Sequence, residues 1–145
     1  MQINLPSAID DCIHRLLSAG YSAYAVGGCV RDSLLGNTPC DWDVCTCAKP
    51  DEVTQVFKGM KIIETGIAHG TVTLLTGGMA AEITTMRRDG EYLDHRRPSG
   101  VEFTASLHED LSRRDFTVNA IAYNGIDGLC DPFGGKQDLA RGLLR

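Results

Sequence analysis

Residues 21–46, YSAYAVGGCVRDSLLGNTPCDWDVCT, contain the order of residue types that decides the fold. The pattern predicts a strand from Tyr21 to Val26, followed by a tight turn at Gly27-Gly28. A short helix is predicted from Cys29 to Leu35, and β-branched and aromatic residues predict a second strand from Asp41 to Thr46. This strand–turn–helix–strand order indicates a chain that mixes helices and strands.

The remaining segments extend the same mixture. An apolar stripe predicts a first helix in which Ser7 and Asp10 resemble a capping box and Gly20 marks the end. Other predicted elements are a helix at 50–57, strands at 61–64, 71–76 and 80–86, a helix near 107–111 and an apolar run at 118–123. A long polar loop is predicted at 87–102, and a glycine-rich tail ends the chain. The pattern favours an α/β chain with a mixed sheet.

Length and composition limit the classes of protein that remain. The 145 residues predict one domain, and no run approaches the roughly 20 apolar residues of a membrane span. The N-terminus lacks the features of a signal peptide, so we expect a cytoplasmic protein. A net charge of −5 argues against binding nucleic acid through the overall field. The six cysteines form no C-x-x-C pair, which favours buried thiols over a zinc site.

Two aspartates on the second predicted strand are the candidate metal ligands. Asp41 and Asp43 are two residues apart, so a strand places both carboxylates on one face and Trp42 on the other. Two like charges this close repel each other unless a cation lies between them, and oxygen ligands suit Mg²⁺. Glu82, on a later strand, is a candidate third carboxylate. The structural alternative for these acids is a strand face exposed to water.

The glycine pair and a later arginine pair are candidate phosphate ligands. Between a strand and a helix, Gly27-Gly28 would let backbone N–H groups approach a phosphate, although a simple tight turn is the alternative. Arg113-Arg114-Asp115 precedes an apolar run, where the guanidinium groups could bind triphosphate oxygens or pair with Asp115. The Rossmann fingerprint and the Walker motif are both absent from the sequence.

A larger set of motifs covers the chain from about residue 7 to its end. They are GGCVRD (27–32), DWDV (41–44), ETGIAHGTVTL (64–74), AEITTMR (81–87), YLDHRRP (92–98), VEFT (101–104) and DLSRRDFTVNAIAYN (110–124). In order and spacing they resemble the head domain of the class II tRNA nucleotidyltransferase and bacterial poly(A) polymerase family. This resemblance implies a polymerase-β-like α/β (α+β) fold, with a mixed, roughly five-stranded sheet and helices mainly on one face.

The resemblance also implies roles for single residues. Asp41 and Asp43 would hold two catalytic Mg²⁺ ions, with Glu82 beside them on the neighbouring strand. The residues implied to bind the nucleotide are Gly27, Gly28, Arg31, Arg113, Arg114, Asp115 and Asn119. Those implied to lie in a flexible loop that moves between CTP-bound and ATP-bound states include Asp94, Arg96 and Arg97. The implied activity is the addition of C and A from CTP and ATP to the tRNA 3′ end.

The resemblance leaves several alternatives open. The segment at 64–74 favours a CCA-adding enzyme over a poly(A)-type polymerase, because the latter tends to carry an arginine-rich stretch there. We expect residues 1–145 to be a head domain without the family's neck, body and tail, so that the isolated chain binds nucleotide weakly and has little or no activity. A stand-alone NTP-binding relative, a non-catalytic scaffold and a zinc-thiol protein are the other possibilities.

Overall fold

The computed structural model describes residues 3–39, 41–63, 70–89 and 101–145. Five α-helices lie in these ranges: α1 (Ser7–Ser18), α2 (Gly28–Leu34), α3 (Pro50–Val56), α4 (Leu107–Ser112) and α5 (Gly135–Arg141). A 3-10 turn covers Thr117–Asn119. None of the helices in these ranges is both long and apolar enough to cross a membrane.

The strands of the described residues form one large mixed sheet and one small ribbon. They are β1 (Ala23–Val26), β2 (Trp42–Thr46), β3 (Lys61–Ile63), β4 (Thr71–Thr76), β5 (Met79–Thr85), β6 (Arg87–Asp89), β7 (Val101–Phe103), β8 (Ala122–Asn124) and β9 (Gly128–Cys130). The sheet has the order β3-β4-β5-β2-β1-β8-β9, and β6 pairs with β7 in the ribbon. Only the β2–β5 pairing of this sheet is parallel. The predicted mixed sheet is confirmed, but it has seven strands in the described part of the chain rather than about five.

One face of the sheet is covered by α1 and α3. The apolar stripe of α1 (Ile9, Cys12, Ile13 and Leu16) is buried, as its helical spacing predicts. From the sheet, Trp42 and Val44 of β2 belong to the same core, together with Phe57 just after α3. Since side chains alternate along a strand, this arrangement turns Asp43 and Cys45 toward the opposite face.

The opposite face carries a smaller buried cluster. It contains Cys45 of β2, Val26 of β1, Met86 and Leu111 of α4, with two alanines near β8. The prediction of buried thiols is confirmed for Cys12, Cys29 and Cys45, whereas Cys47 and Cys130 are only half-buried and Cys40 lies outside the described residues. The second cluster fills only one end of this face. At the other end, β2 and β5 carry the polar residues Asp43 and Glu82.

Three local predictions were wrong. The N-cap of α1 is Pro6, whose carbonyl accepts from the N–H groups of Ile9 and Asp10. Ser7 already lies inside the helix, so it forms no capping box. The two ends of the predicted loop at 87–102 pair as β6 and β7, an exposed ribbon whose polar side chains hide the strand pattern. The glycine-rich tail contains β9 and α5, and Asp131 caps α5 by accepting from the N–H groups of Gly135 and Lys136.

Candidate active site

The parallel pairing of β2 and β5 brings two acidic side chains together. Asp43 lies directly opposite Glu82 in the register, so their backbones are about 4.8 Å apart, the usual strand spacing. Asp43 is half-buried, whereas Glu82 is exposed. Asp41 lies just before β2 and is exposed. The two candidate carboxylates that are far apart in the sequence are therefore adjacent in the fold.

The Asp43 carboxyl is in an environment that disfavours its charge. Burial raises the pKa of Asp43 from its ordinary value of 3.8 to about 6, and the neighbouring Glu82 and Asp41 carboxylates act in the same direction. The Arg114 guanidinium opposes this rise. A bound cation would remove the repulsion, and carboxylate oxygens are the donors that Mg²⁺ prefers.

The acidic residues fit a divalent ion by their donor chemistry. Within the part of the chain that the structure describes, no three His, Cys, Asp or Glu side chains are grouped to hold a metal ion. The protein thus offers a carboxylate pair with a third carboxylate nearby, rather than a complete cage. Mg²⁺ is usually bound in this way, through one or two carboxylates together with water molecules and substrate phosphate oxygens.

The glycine turn lies between two guanidinium groups. Gly27 has a φ of +83°, a conformation that side chains rarely adopt, and it is the N-cap of α2. A Cβ atom on Gly27 would lie 3.3 Å from Nη1 of Arg114, and one on Gly28 would lie 3.3 Å from Nη2 of Arg31. The absence of side chains at both glycines therefore allows the two arginines to approach the turn.

Arg31 is held by two neighbours. Its Nη1 donates to Oδ1 of Asn119 at 2.8 Å, and its Nε donates to Oδ1 of Asp32 at 3.1 Å. Asn119, which was predicted to bind nucleotide, thus lies against Arg31 through its amide oxygen. The 3-10 turn that contains Asn119 packs against α2, which brings the motif at 110–124 to the motif at 27–32.

Asp110 holds the other arginine pair. Its carboxylate is 1% exposed and forms ion pairs with Arg113 at 3.2 Å and with Arg114 at 3.3 Å. The sequence-based analysis gave Asp110 no role and considered Asp115, which is exposed, as the partner of these arginines. The signal was present, because an acid three and four residues before two arginines faces them on a helix.

One donor at the site has no acceptor. Nε of Arg114 is buried and has no hydrogen-bond partner among the described residues. An unpaired buried donor is costly, and at a phosphate-binding site a ligand oxygen can supply the missing acceptor. The predicted loop residues Asp94, Arg96 and Arg97 lie outside the described residues. The structure therefore brings together Asp43, Glu82, Gly27, Gly28, Arg31, Arg114 and Asn119.

The fold and the motifs together define the class of the protein. A mixed sheet that carries adjacent acids on β2 and β5, next to a glycine turn that begins a helix, has the nucleotidyltransferase fold. The chain belongs to the family described as the poly A polymerase head domain, whose model matches residues 23–145. The family resemblance recognised in the motifs is thereby confirmed.

Individual relatives are similar over nearly the whole chain. A CCA-adding enzyme of Oceanobacillus iheyensis is 52% identical over 130 residues, which are 90% of this chain and 32% of the relative. A CCA-adding enzyme of Geobacillus thermodenitrificans is 51% identical over 133 residues, or 92% of this chain and 32% of the relative. The chain thus spans about a third of the length of these curated relatives.

Solved structures agree with the sequence relatives. The crystal structure of the Bacillus stearothermophilus CCA-adding enzyme in complex with CTP superposes with a TM-score of 0.84 and 42% identity. It matches 96% of this chain and 32% of that one. A tRNA nucleotidyltransferase complexed with a primer tRNA and an incoming ATP analog superposes with a TM-score of 0.72 and 35% identity, over 92% of this chain and 38% of that one.

Proposed function

We propose that the protein is the catalytic head of a tRNA nucleotidyltransferase that adds C and A to the tRNA 3′ end from CTP and ATP. The observation that carries this proposal is the position of the Asp43–Glu82 pair beside Arg114 and the Gly27-Gly28 turn. Such a site combines ligands for a cation with donors for a polyphosphate. Relatives named as CCA-adding enzymes, one of them in complex with CTP, support this choice of reaction.

In this proposal Asp41 and Asp43 hold Mg²⁺, with two ions in the active complex, and Glu82 is the adjacent catalytic acid. When bound, the metal supplies Lewis-acid chemistry, lowering the pKa of the tRNA 3′-hydroxyl and neutralising charge on the triphosphate. The raised pKa of Asp43 is consistent with this role, because the carboxylate cluster is arranged at a cost in stability that a cation would offset.

The glycine turn and its arginines bind the triphosphate in this proposal. The backbone N–H of Gly28 and the guanidinium groups of Arg31, Arg113 and Arg114 are the donors for its oxygens. The N–H of Gly27 donates to the carbonyl oxygen of Ile121, so Gly27 contributes the open turn without a side chain. The 3′-hydroxyl oxygen forms a bond with the α-phosphorus, the bond from that phosphorus to the bridging oxygen breaks, and pyrophosphate leaves with the electron pair. The hydroxyl proton passes to a base in the site or to water.

Other parts of the proposal rest on the resemblance. Asp115 and Asn119 would contact the nucleotide, and the loop residues Asp94, Arg96 and Arg97 would move between the CTP and ATP states. Residues 1–145 would form the head alone, while a helical neck would select the base and further domains would bind most of the tRNA. A cytoplasmic location also stays a prediction from the sequence.

The first test is nucleotide binding by the 145-residue chain. We expect isothermal titration calorimetry to show weak binding of CTP and ATP that depends on Mg²⁺ and is lost in the Asp41→Ala, Asp43→Ala double variant. The matched control is Asp51→Ala, which removes an exposed acid in the first turn of α3. Binding that survives in the double variant would contradict the metal role of the two aspartates.

A second test separates the two polymerase activities. A protein that contains this chain and its proposed neck is incubated with each nucleotide separately and with a tRNA that ends at the discriminator base. CCA addition predicts incorporation of C from CTP before A from ATP, whereas repeated incorporation from ATP alone would indicate a poly(A)-type polymerase. Complete CCA addition by residues 1–145 alone would show that the neck is not required.

A further inference from the structure

The arginine at the glycine turn depends on an acid that does not reach the turn itself. Asp110 lies in the first turn of α4, is 1% exposed, and accepts from three donors. We infer that Asp110 is a positioning residue, whose carboxylate holds the Arg114 guanidinium over the Gly27-Gly28 turn for binding the triphosphate. This inference rests on the proposed function, because it concerns how the same anion site is built.

The two oxygens of Asp110 have different tasks. Oδ1 accepts from the backbone N–H of Arg87 at 3.0 Å and from Nε of Arg113 at 3.2 Å. Oδ2 accepts from Nη2 of Arg114 at 3.3 Å. Oδ1 therefore ties α4 to the start of the β6–β7 ribbon, whereas Oδ2 is the contact that orients Arg114.

The contacts of Arg114 account for the direction of its guanidinium. With Nη2 on Asp110, Nη1 points to the place where a Gly27 side chain would begin, 3.3 Å away. Nε is buried without a partner in the described part of the chain. Asp110 thus fixes Nη2, and Nη1 faces the turn, where it can donate to a phosphate oxygen.

The charges lead to the same conclusion. One carboxylate lies between two guanidinium groups, so the Asp110–Arg113–Arg114 group keeps a net charge of +1 beside the turn. Without the carboxylate, the two neighbouring guanidinium groups would repel each other, and a long arginine side chain would have many rotamers available. Preorganisation by a buried acid lowers the entropy that anion binding has to overcome.

The test uses Asp110→Asn, because this change separates the two tasks. The amide oxygen can replace Oδ1 and keep the Arg87 and Arg113 contacts, whereas the amide NH₂ replaces Oδ2 and cannot accept from Arg114. The probe is inorganic tripolyphosphate, titrated calorimetrically into the 145-residue chain. We expect affinity to fall about tenfold or more, in line with the loss of one well-oriented charged hydrogen bond.

A double-mutant cycle separates positioning from a structural effect. If Asp110 acts through Arg114, then Arg114→Ala should weaken binding strongly in the wild-type background and very little in the Asp110→Asn background. The matched control is Glu109→Gln, since Glu109 lies in the same turn of α4 but pairs with the exposed Arg88. We expect this control to bind tripolyphosphate like the wild type.

Several results would overturn the inference. They are unchanged or tighter binding by Asp110→Asn, additive losses in the cycle, or an equal loss in Glu109→Gln. If Asp110→Asn does not fold, the Arg114→Lys variant is measured instead. A positioned guanidinium predicts that this variant loses nearly as much affinity for tripolyphosphate as Arg114→Ala does. Full affinity in the lysine variant would refute positioning. If the wild type binds neither tripolyphosphate nor nucleotide, the proposed function fails instead.

Discussion

Replacing Asp43 by asparagine should stabilise the metal-free protein at neutral pH, although it removes a proposed metal ligand. The pKa of Asp43 is raised from 3.8 to about 6, chiefly by burial and then by Glu82. The folded state therefore binds this proton more tightly than the unfolded state does. The contribution of the protonated Asp43 carboxyl to the free energy of unfolding is fully present below pH 3.8 and is lost as the pH rises through about 6.

The magnitude follows from the size of the pKa change. A rise from 3.8 to about 6 corresponds to roughly 3 kcal/mol at neutral pH. Because the side chain of Asp43 is only half-buried, solvent screening reduces the expected effect to about 1–2 kcal/mol. The asparagine variant and the wild type should have nearly equal stability near pH 4, and the variant should be more stable by that amount at pH 7.

The assay is urea unfolding in EDTA, followed by the fluorescence of Trp42. This residue is the only tryptophan, is 3% exposed, and precedes Asp43 on β2. Asp41→Asn is the matched control, because Asp41 is exposed and should give a much smaller change. Adding Mg²⁺ should stabilise the wild type more than the Asp43 variant. A loss of stability in Asp43→Asn at pH 7, or a difference independent of pH, would refute the reasoning.

Two further predictions concern packing and thiol chemistry. Gly135→Ala should destabilise the fold by about 3 kcal/mol or more, since its Cβ atom would overlap the backbone carbonyl group of Thr117. Gly125→Ala, whose Cβ atom would meet only an ordinary contact, should change the urea midpoint little. Burial raises the pKa of Cys12 to about 11, so alkylation of this thiol by iodoacetamide at pH 8 should be much slower than in urea, and comparable rates would contradict its burial.

Most of the elements could be predicted from local patterns, and the failures have physical causes. The stripe of α1 and the alternation of β4 and β5 are visible because each element buries one face in the core. The β6–β7 ribbon is rich in charged residues, including the cross-strand pair Arg88–Glu102, so its sequence has the composition of a loop. The helix α5 was missed because the residues just before it, including Asp131 and Gly134, have the composition of a turn.

The sequence by itself determined the acidic strand, the glycine turn and the family, because these depend on residue types at short spacings. The motifs carry the order Gly27-Gly28, Asp41, Asp43 and Glu82 along the chain. Only the tertiary structure decided which of these groups meet. The parallel β2–β5 register sets Asp43 against Glu82, and burial of Asp43, followed by this contact, raises the pKa of Asp43. Likewise, the buried carboxylate of Asp110 acquires its role only because the fold carries Arg114 to the glycine turn.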